Sequence, residues 1–175
     1  MNCFKCFRIV LLGMLTCSFL FSEGQKNIRM DSSWMIKKER LIQEDAKTVW
    51  QVLTSADNIK KWLGVDAKTD WLQGSDILFE FMWEGKQYVD KGKILRIEPE
   101  RIFSYRYWSG FSGLPDKPEN YSKIEFLLEP GAGGVRLTLV HTDFATETMY
   151  RHSEKNWEET LDEIKNLSEK NYTKG

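Results

Sequence analysis

From residue 34 onward the hydrophobic positions switch between two spacings. Met35 to Ile42 (MIKKERLI) reads as an opening strand with imperfect alternation. Ala46, Val49, Trp50 and Leu53 then recur at helical spacing, which predicts a short amphipathic helix over 46–53. Ser55 is placed to cap a second helix whose apolar face is Ile59, Trp62 and Leu63 and whose stop is Gly64.

The period then becomes two. In DILFEFMW, Ile77, Phe79, Phe81 and Trp83 share one face, and Glu84-Gly85-Lys86 reads as a turn. A strand over 87–97 follows, with Gly92 marking a bulge or bend before Pro99-Glu100 breaks it. Arg101 to Trp108 puts Phe103, Tyr105 and Tyr107 on one face and Arg106 and Trp108 on the other. After the loop SGFSGLPDKPEN, Lys123 to Glu129 and Val135 to His141 form two more strands around Pro130–Gly134. Short turns between successive strands indicate an antiparallel meander. Thr148 to Lys170 returns to helical spacing, with Trp157, Leu161, Ile164 and Leu167 inward and Glu158, Glu159, Asp162, Glu163 and Lys165 outward. The expected class is α+β: one antiparallel sheet, with its helices on one side and the long one last.

The inward faces are the candidate site. Phe79, Phe81, Trp83, Phe103, Tyr105 and Tyr107 are either plain core or the wall of an apolar cavity with a few polar tips. Phe126, Leu139 and His141 on the last two strands and Trp157 and Leu161 on the helix would complete that wall. The loop carrying Trp108, Phe111 and Leu114 among glycines is either a cover over the cavity mouth, a partner-contact surface, or a loop folded onto its own sheet. His141 is open to three roles: a hydrogen-bonded structural residue, a ligand contact, or an acid/base group.

Composition narrows the chemistry. Seven Trp, 10 Phe and 6 Tyr in 175 residues supply enough buried area for a sizeable core. Net charge is −1, and setting aside Lys5 and Arg8 of the N-terminal segment leaves −3, which disfavours nucleic acid. Cys3, Cys6 and Cys17 all precede residue 18, so the domain has neither a disulfide framework nor a thiolate site. No H-E-x-x-H, nucleophile elbow or phosphate loop occurs, and Gly131-Ala132-Gly133-Gly134 leads into a strand. The carboxylates Glu80, Glu84 and Asp90 read as mostly solvated on the outer face. No catalytic residue, metal or cofactor is expected.

Residues 1–22 pair Lys5 and Arg8 with an apolar run, Ile9 to Phe21, of signal-peptide length. Either the protein is exported or anchored, with Leu15-Thr16-Cys17 resembling a lipoprotein box, or translation starts at Met30 or Met35 and the protein is cytoplasmic. Residues 23–34 read as a linker and 35–173 as the domain.

The stretches WQVLTSADNIKKWLG, GKILRIEPERIFSYRYW, and VRLTLVHTDF followed by NWEETLDEI resemble the START-like (SRPBCC) superfamily. Within it they are similar to the activator of heat-shock protein 90 ATPase homologue-like branch. The resemblance spans about Met35 to Leu167. It implies a helix-grip fold, a curved antiparallel sheet holding a long C-terminal helix over a hydrophobic cavity. His141 and Phe144 match a recurrent end of the last strand, and Asp143 stands where the family often has glycine. Superfamily members bind lipids and other apolar molecules, and with the aromatic-lined faces this leads to the expectation of a monomer binding an apolar small molecule or lipid. The alternatives are a co-chaperone-like interaction module, or a cyclase- or hydrolase-like enzyme using cavity Tyr and His.

Overall fold

In the computed structural model, which describes residues 34–170, strand β1 (Ile36–Ile42) leads into helices α1 (Ala46–Thr54) and α2 (Ala56–Leu63). Strands β2 (Asp66–Thr69), β3 (Asp76–Trp83), β4 (Lys86–Glu98), β5 (Ile102–Trp108), β6 (Ser122–Gly131) and β7 (Gly134–Thr142) follow, and α3 (Glu147–Lys170) closes the domain. The described strands form one antiparallel sheet ordered β1-β7-β6-β5-β4-β3-β2. The first strand thus pairs with the last, and all three helices lie against one face.

Local chemistry explains most boundaries. The Asp45 carboxylate accepts from the Thr48 amide at 2.7 Å and starts α1. Ser55 accepts from the Asn58 amide at 3.2 Å and starts α2, while Gly64, at φ +78°, ends it. Trp62 Nε1 donates to the Val52 carbonyl at 2.9 Å and ties the two helices together. Between β3 and β4, Glu84 and Gly85 both have positive φ, as a two-residue hairpin turn of the strand-matching hand requires. That turn pairs Trp83 with Lys86, and by counting back it pairs Phe79 with Asp90.

Two details differ from the sequence reading. The edge strand β2, four residues long, has too few residues to show alternation. The break in β4 falls between Ile94 and Arg96, beyond Gly92. Gly92 answers to a close approach instead: a Cβ there would lie 2.3 Å from the Arg106 carbonyl oxygen and 2.8 Å from Ile77 Cγ2.

Helix α3 buries Trp157, Leu161 and Ile164 against the sheet, and Ser168 folds its hydroxyl back to the Ile164 carbonyl at 2.8 Å. Its flank is pinned by charge. Lys38 and Arg40 alternate with Lys37 and Glu39, so they point inward from β1. Lys38 pairs with Glu158, and Arg40 Nε donates to Asp162 Oδ1 at 2.7 Å. Lys165 Nζ donates to the Leu41 carbonyl and Glu169 accepts from the Gln43 amide, which occupies part of the free edge of β1.

Candidate functional site

The predicted inner-face residues do share one face, and their burial sorts them into two groups. Phe126, Leu139 and Leu161 have no accessible surface, so no water-sized space lies against them. Phe126 meets Trp62 and Trp157 edge-on at 6.3 and 5.8 Å, and Phe103 stacks on it at 6.3 Å. This is a packed region under α3 and α2. Toward the β3–β4 hairpin the same face loosens. Phe79 and Tyr105 remain buried, whereas Phe81, Trp83, Tyr88 and Tyr107 are each part-exposed.

His141 sits in the packed region. Trp157 Nε1 donates to His141 Nδ1 at 2.9 Å, since an indole N–H can only donate. The ring proton is therefore on Nε2, which donates to Ser122 Oγ at 2.9 Å, and Ser122 donates to the Tyr107 carbonyl at 3.3 Å. Phe144 lies 4.1 Å from the imidazole, centroid to centroid. Burial pushes the His141 pKa down to about 3. The ring is a neutral crosspiece joining α3, β7, β6 and β5, with both nitrogens engaged. At the strand exit Asp143 has φ +60°, the conformation that glycine adopts without steric cost.

A different polar group lies in the looser region. Tyr107 donates its hydroxyl to Asp90 Oδ2 at 2.5 Å, and the Gly110 amide donates to Asp90 Oδ1 at 3.2 Å. Burial raises the Asp90 pKa, against the lowering effect of bonds from Tyr107, Ser109 and Gly110. The Tyr107 hydroxyl is pushed well above its ordinary value, first by burial and then by the Asp90 charge. Tyr105, 3% exposed, makes no hydrogen bond through its hydroxyl among the described residues, and burial raises its pKa also. Its ring packs on Phe79 at 5.7 Å and Phe103 at 5.0 Å.

The aromatic loop divides between the two faces. Phe111, in a 3₁₀ turn over Gly110–Ser112, covers Tyr88 at 4.4 Å and Phe81 at 5.7 Å on the inner side. Trp108 lies on the outer side, where its Nε1 donates to the Leu114 carbonyl at 3.2 Å and its ring stacks on Tyr121 at 6.5 Å. The loop thus straddles the rim, and Asp90 anchors its inner limb.

Asp90, grouped by the sequence reading with solvated carboxylates of the outer face, is instead buried on the inner face and bonded to Tyr107, and Tyr88 and Ser122 were missed from sequence. Counting pairs through the Glu84-Gly85 turn would have placed Tyr88 and Asp90 opposite Phe81 and Phe79. Extending the Ile124–Phe126–Leu128 alternation back one step would have placed Ser122. A groove of about 760 Å³ lies elsewhere, between Gln43–Ala46, Pro99–Arg101, Leu128–Pro130 and Gly133–Val135. No predicted cavity residue lines it. Among the described residues no group of three or more His, Cys, Asp and Glu is arranged to hold a metal ion, and no helix is long and apolar enough to cross a membrane. The signal and linker segments lie outside the described residues.

A family model described as Activator of Hsp90 ATPase homolog 1-like protein matches residues 44–169. Among solved structures, ChR145 from Cytophaga hutchinsonii is similar at 32% identity and a TM-score of 0.69, over 79% of this chain and 96% of that one. MLL2253 from Mesorhizobium loti is similar at 21% identity and TM-score 0.65, over 76% and 95% of the two chains. The Aha1 dimer from Colwellia psychrerythraea is similar at 22% identity and TM-score 0.61, over 77% and 96%. The last two likenesses bear on the fold alone. A search of the curated proteins finds no match.

Proposed function

Because this chain belongs to the Activator of Hsp90 ATPase homolog 1-like family, we propose that it is a binding module for a hydrophobic or amphipathic small molecule, held at the loose end of the inner face. The observation that carries this reading is Tyr105 on the inner face, 3% exposed, whose hydroxyl makes no hydrogen bond among the described residues, beside rings that are part-exposed. A ligand oxygen or nitrogen at that hydroxyl would add a hydrogen bond, worth on the order of 0.5–1.5 kcal/mol. The part-exposed rings of Phe81, Trp83 and Tyr107 offer the apolar wall. His141 enters as a support of β5, since its chain of bonds ends on the Tyr107 carbonyl.

The test is extraction of the purified protein followed by mass spectrometry, together with titration of a hydrophobic fluorescent probe. A co-purifying amphiphile, or saturable probe binding weakened in Tyr105→Phe, supports the reading. A protein that carries nothing and binds no probe refutes it.

A second reading is a co-chaperone-like interaction module that meets another protein through the Trp108–Leu114 loop. The family and the likeness to a dimeric Aha1 favour it. A partner retained unchanged by a Phe111→Ser, Leu114→Ser variant would remove its support. We hold the protein to be a monomer, which light scattering on the purified chain tests. Export or anchoring through residues 1–22 is tested by cell fractionation.

A further inference from the structure

Asp90 is a buried carboxylate that lacks a counter-charge among the described residues. Its carboxylate is only 5% exposed and has no Lys, Arg or His ion-pair partner among the described residues. The nearby lysines of the same strand serve elsewhere: Lys91 pairs with Asp116 and Lys93 with Asp76, both on the outer face. A buried carboxylate without a counter-charge is costly, and hydrogen bonds offset only part of that cost. Three bonds reach Asp90, from Tyr107, Ser109 and Gly110, while a carboxylate offers roughly four lone-pair directions.

Its surroundings are aromatic and otherwise uncharged. Phe79 is its direct cross-strand partner, Tyr88 stands two residues away on the same face, and Tyr107 is bonded to it. Phe81 stacks against Tyr88 at 5.8 Å, and both rings are part-exposed. Ring faces attract cations, most strongly where water is excluded. The titratable groups facing Asp90 are thus Tyr88, Tyr105 and Tyr107, none of them cationic.

We infer that the loose end of the inner face takes an organic cation, an alkylammonium or substituted amine with an apolar tail, its charge held by Asp90 and the adjoining rings. The inference rests on the ligand-binding reading above and adds the charge of the ligand to it. The tail lies toward Phe79 and Tyr105. Phe111, tethered through Gly110 to the same carboxylate, lies beside the cation.

The experiment compares dodecyltrimethylammonium, dodecanol and dodecyl sulfate, each below its micelle concentration, by calorimetric titration into the full chain. The trimethylammonium probe should bind saturably and about tenfold or more tighter than the other two. In Asp90→Asn the ratio of cation to alcohol affinity should fall toward one. Equal binding of cation and alcohol by the natural protein, or an unchanged ratio in the variant, overturns the inference while leaving the ligand-binding reading standing. Binding of none of the three overturns both. If Asp90→Asn does not fold, the ratio in the natural protein decides alone.

Discussion

The two ends of the inner face are built from the same alternation of aromatic and aliphatic residues, yet they solve different problems. Under α3, the positions Phe126, Leu139, Leu161 and Ile164 are sealed, and the polar side chains among them are bonded: His141 at both nitrogens, Ser122 to His141, and Ser168 to the Ile164 carbonyl. At the β3–β4–β5 end the rings are part-exposed. Among the described residues the Tyr105 hydroxyl makes no hydrogen bond there, and Asp90 is a carboxylate without a counter-charge. A polar group in the first region finishes a network. In the second it leaves valence unused, and unused buried valence is where a ligand gains binding energy. The helix explains the division. Its ion pairs to Lys38 and Arg40 hold it along β1, which places it over β6 and β7 and leaves the β3–β4 hairpin beyond its reach.

Mutations should separate the two ends sharply. Leu161→Ala in the sealed region should lower unfolding stability by about 2–5 kcal/mol in a denaturant titration, because the surrounding helix and sheet cannot collapse onto the void. A loss under 1 kcal/mol would mean that this region is not tightly packed.

The pH dependence should also belong to the sealed end. The His141 pKa is lowered from 6.5 to about 3, so the unfolded chain binds a proton that the folded chain refuses. Stability is complete above pH 6.5 and falls as pH drops from there toward 3. The loss is about 2 kcal/mol at pH 5 from this one group. In His141→Gln that part of the slope should vanish, and a slope unchanged in the variant would assign it to other residues.

The clasp should matter less. Arg40→Ala removes exposed ion pairs with Glu158 and Asp162 and should cost no more than about 1 kcal/mol, shrinking with added salt. The smallest stability effect should come from the open end. Tyr105→Phe deletes a hydroxyl that makes no hydrogen bond among the described residues, so stability should stay within about 0.5 kcal/mol of the natural protein or rise. The same change should weaken ligand binding, a split that no sealed-region variant should reproduce.

Much of this division was hidden in the sequence for a physical reason. Periodicity reports which face a residue takes, so the strands, the caps at Ser55 and Gly64 and the inward set from Phe79 to Leu161 were all legible. Periodicity does not report depth: Phe81 and Phe126 look alike in a strand pattern, and only the path of α3 tells them apart. Asp90 was misplaced because a charged residue in a strand is read as solvated. The turn at Glu84-Gly85 fixes its register opposite Phe79 regardless of its charge. His141 was legible as an inward residue, but its partners come from β6 and α3, 19 and 16 residues away. Gly92 was noticed for the right reason, an irregular position, and assigned the wrong irregularity.

The most direct test of the account is an amide chemical-shift map of the protein titrated with a bound amphiphile, the trimethylammonium probe being the first choice. The account predicts saturable shifts centred on Tyr88, Asp90, Tyr105, Tyr107 and Gly110–Phe111, with Leu137, Leu161 and Ile164 little changed. Shifts centred on His141, Trp157 and Leu161, with the β3–β4–β5 end silent, would contradict it.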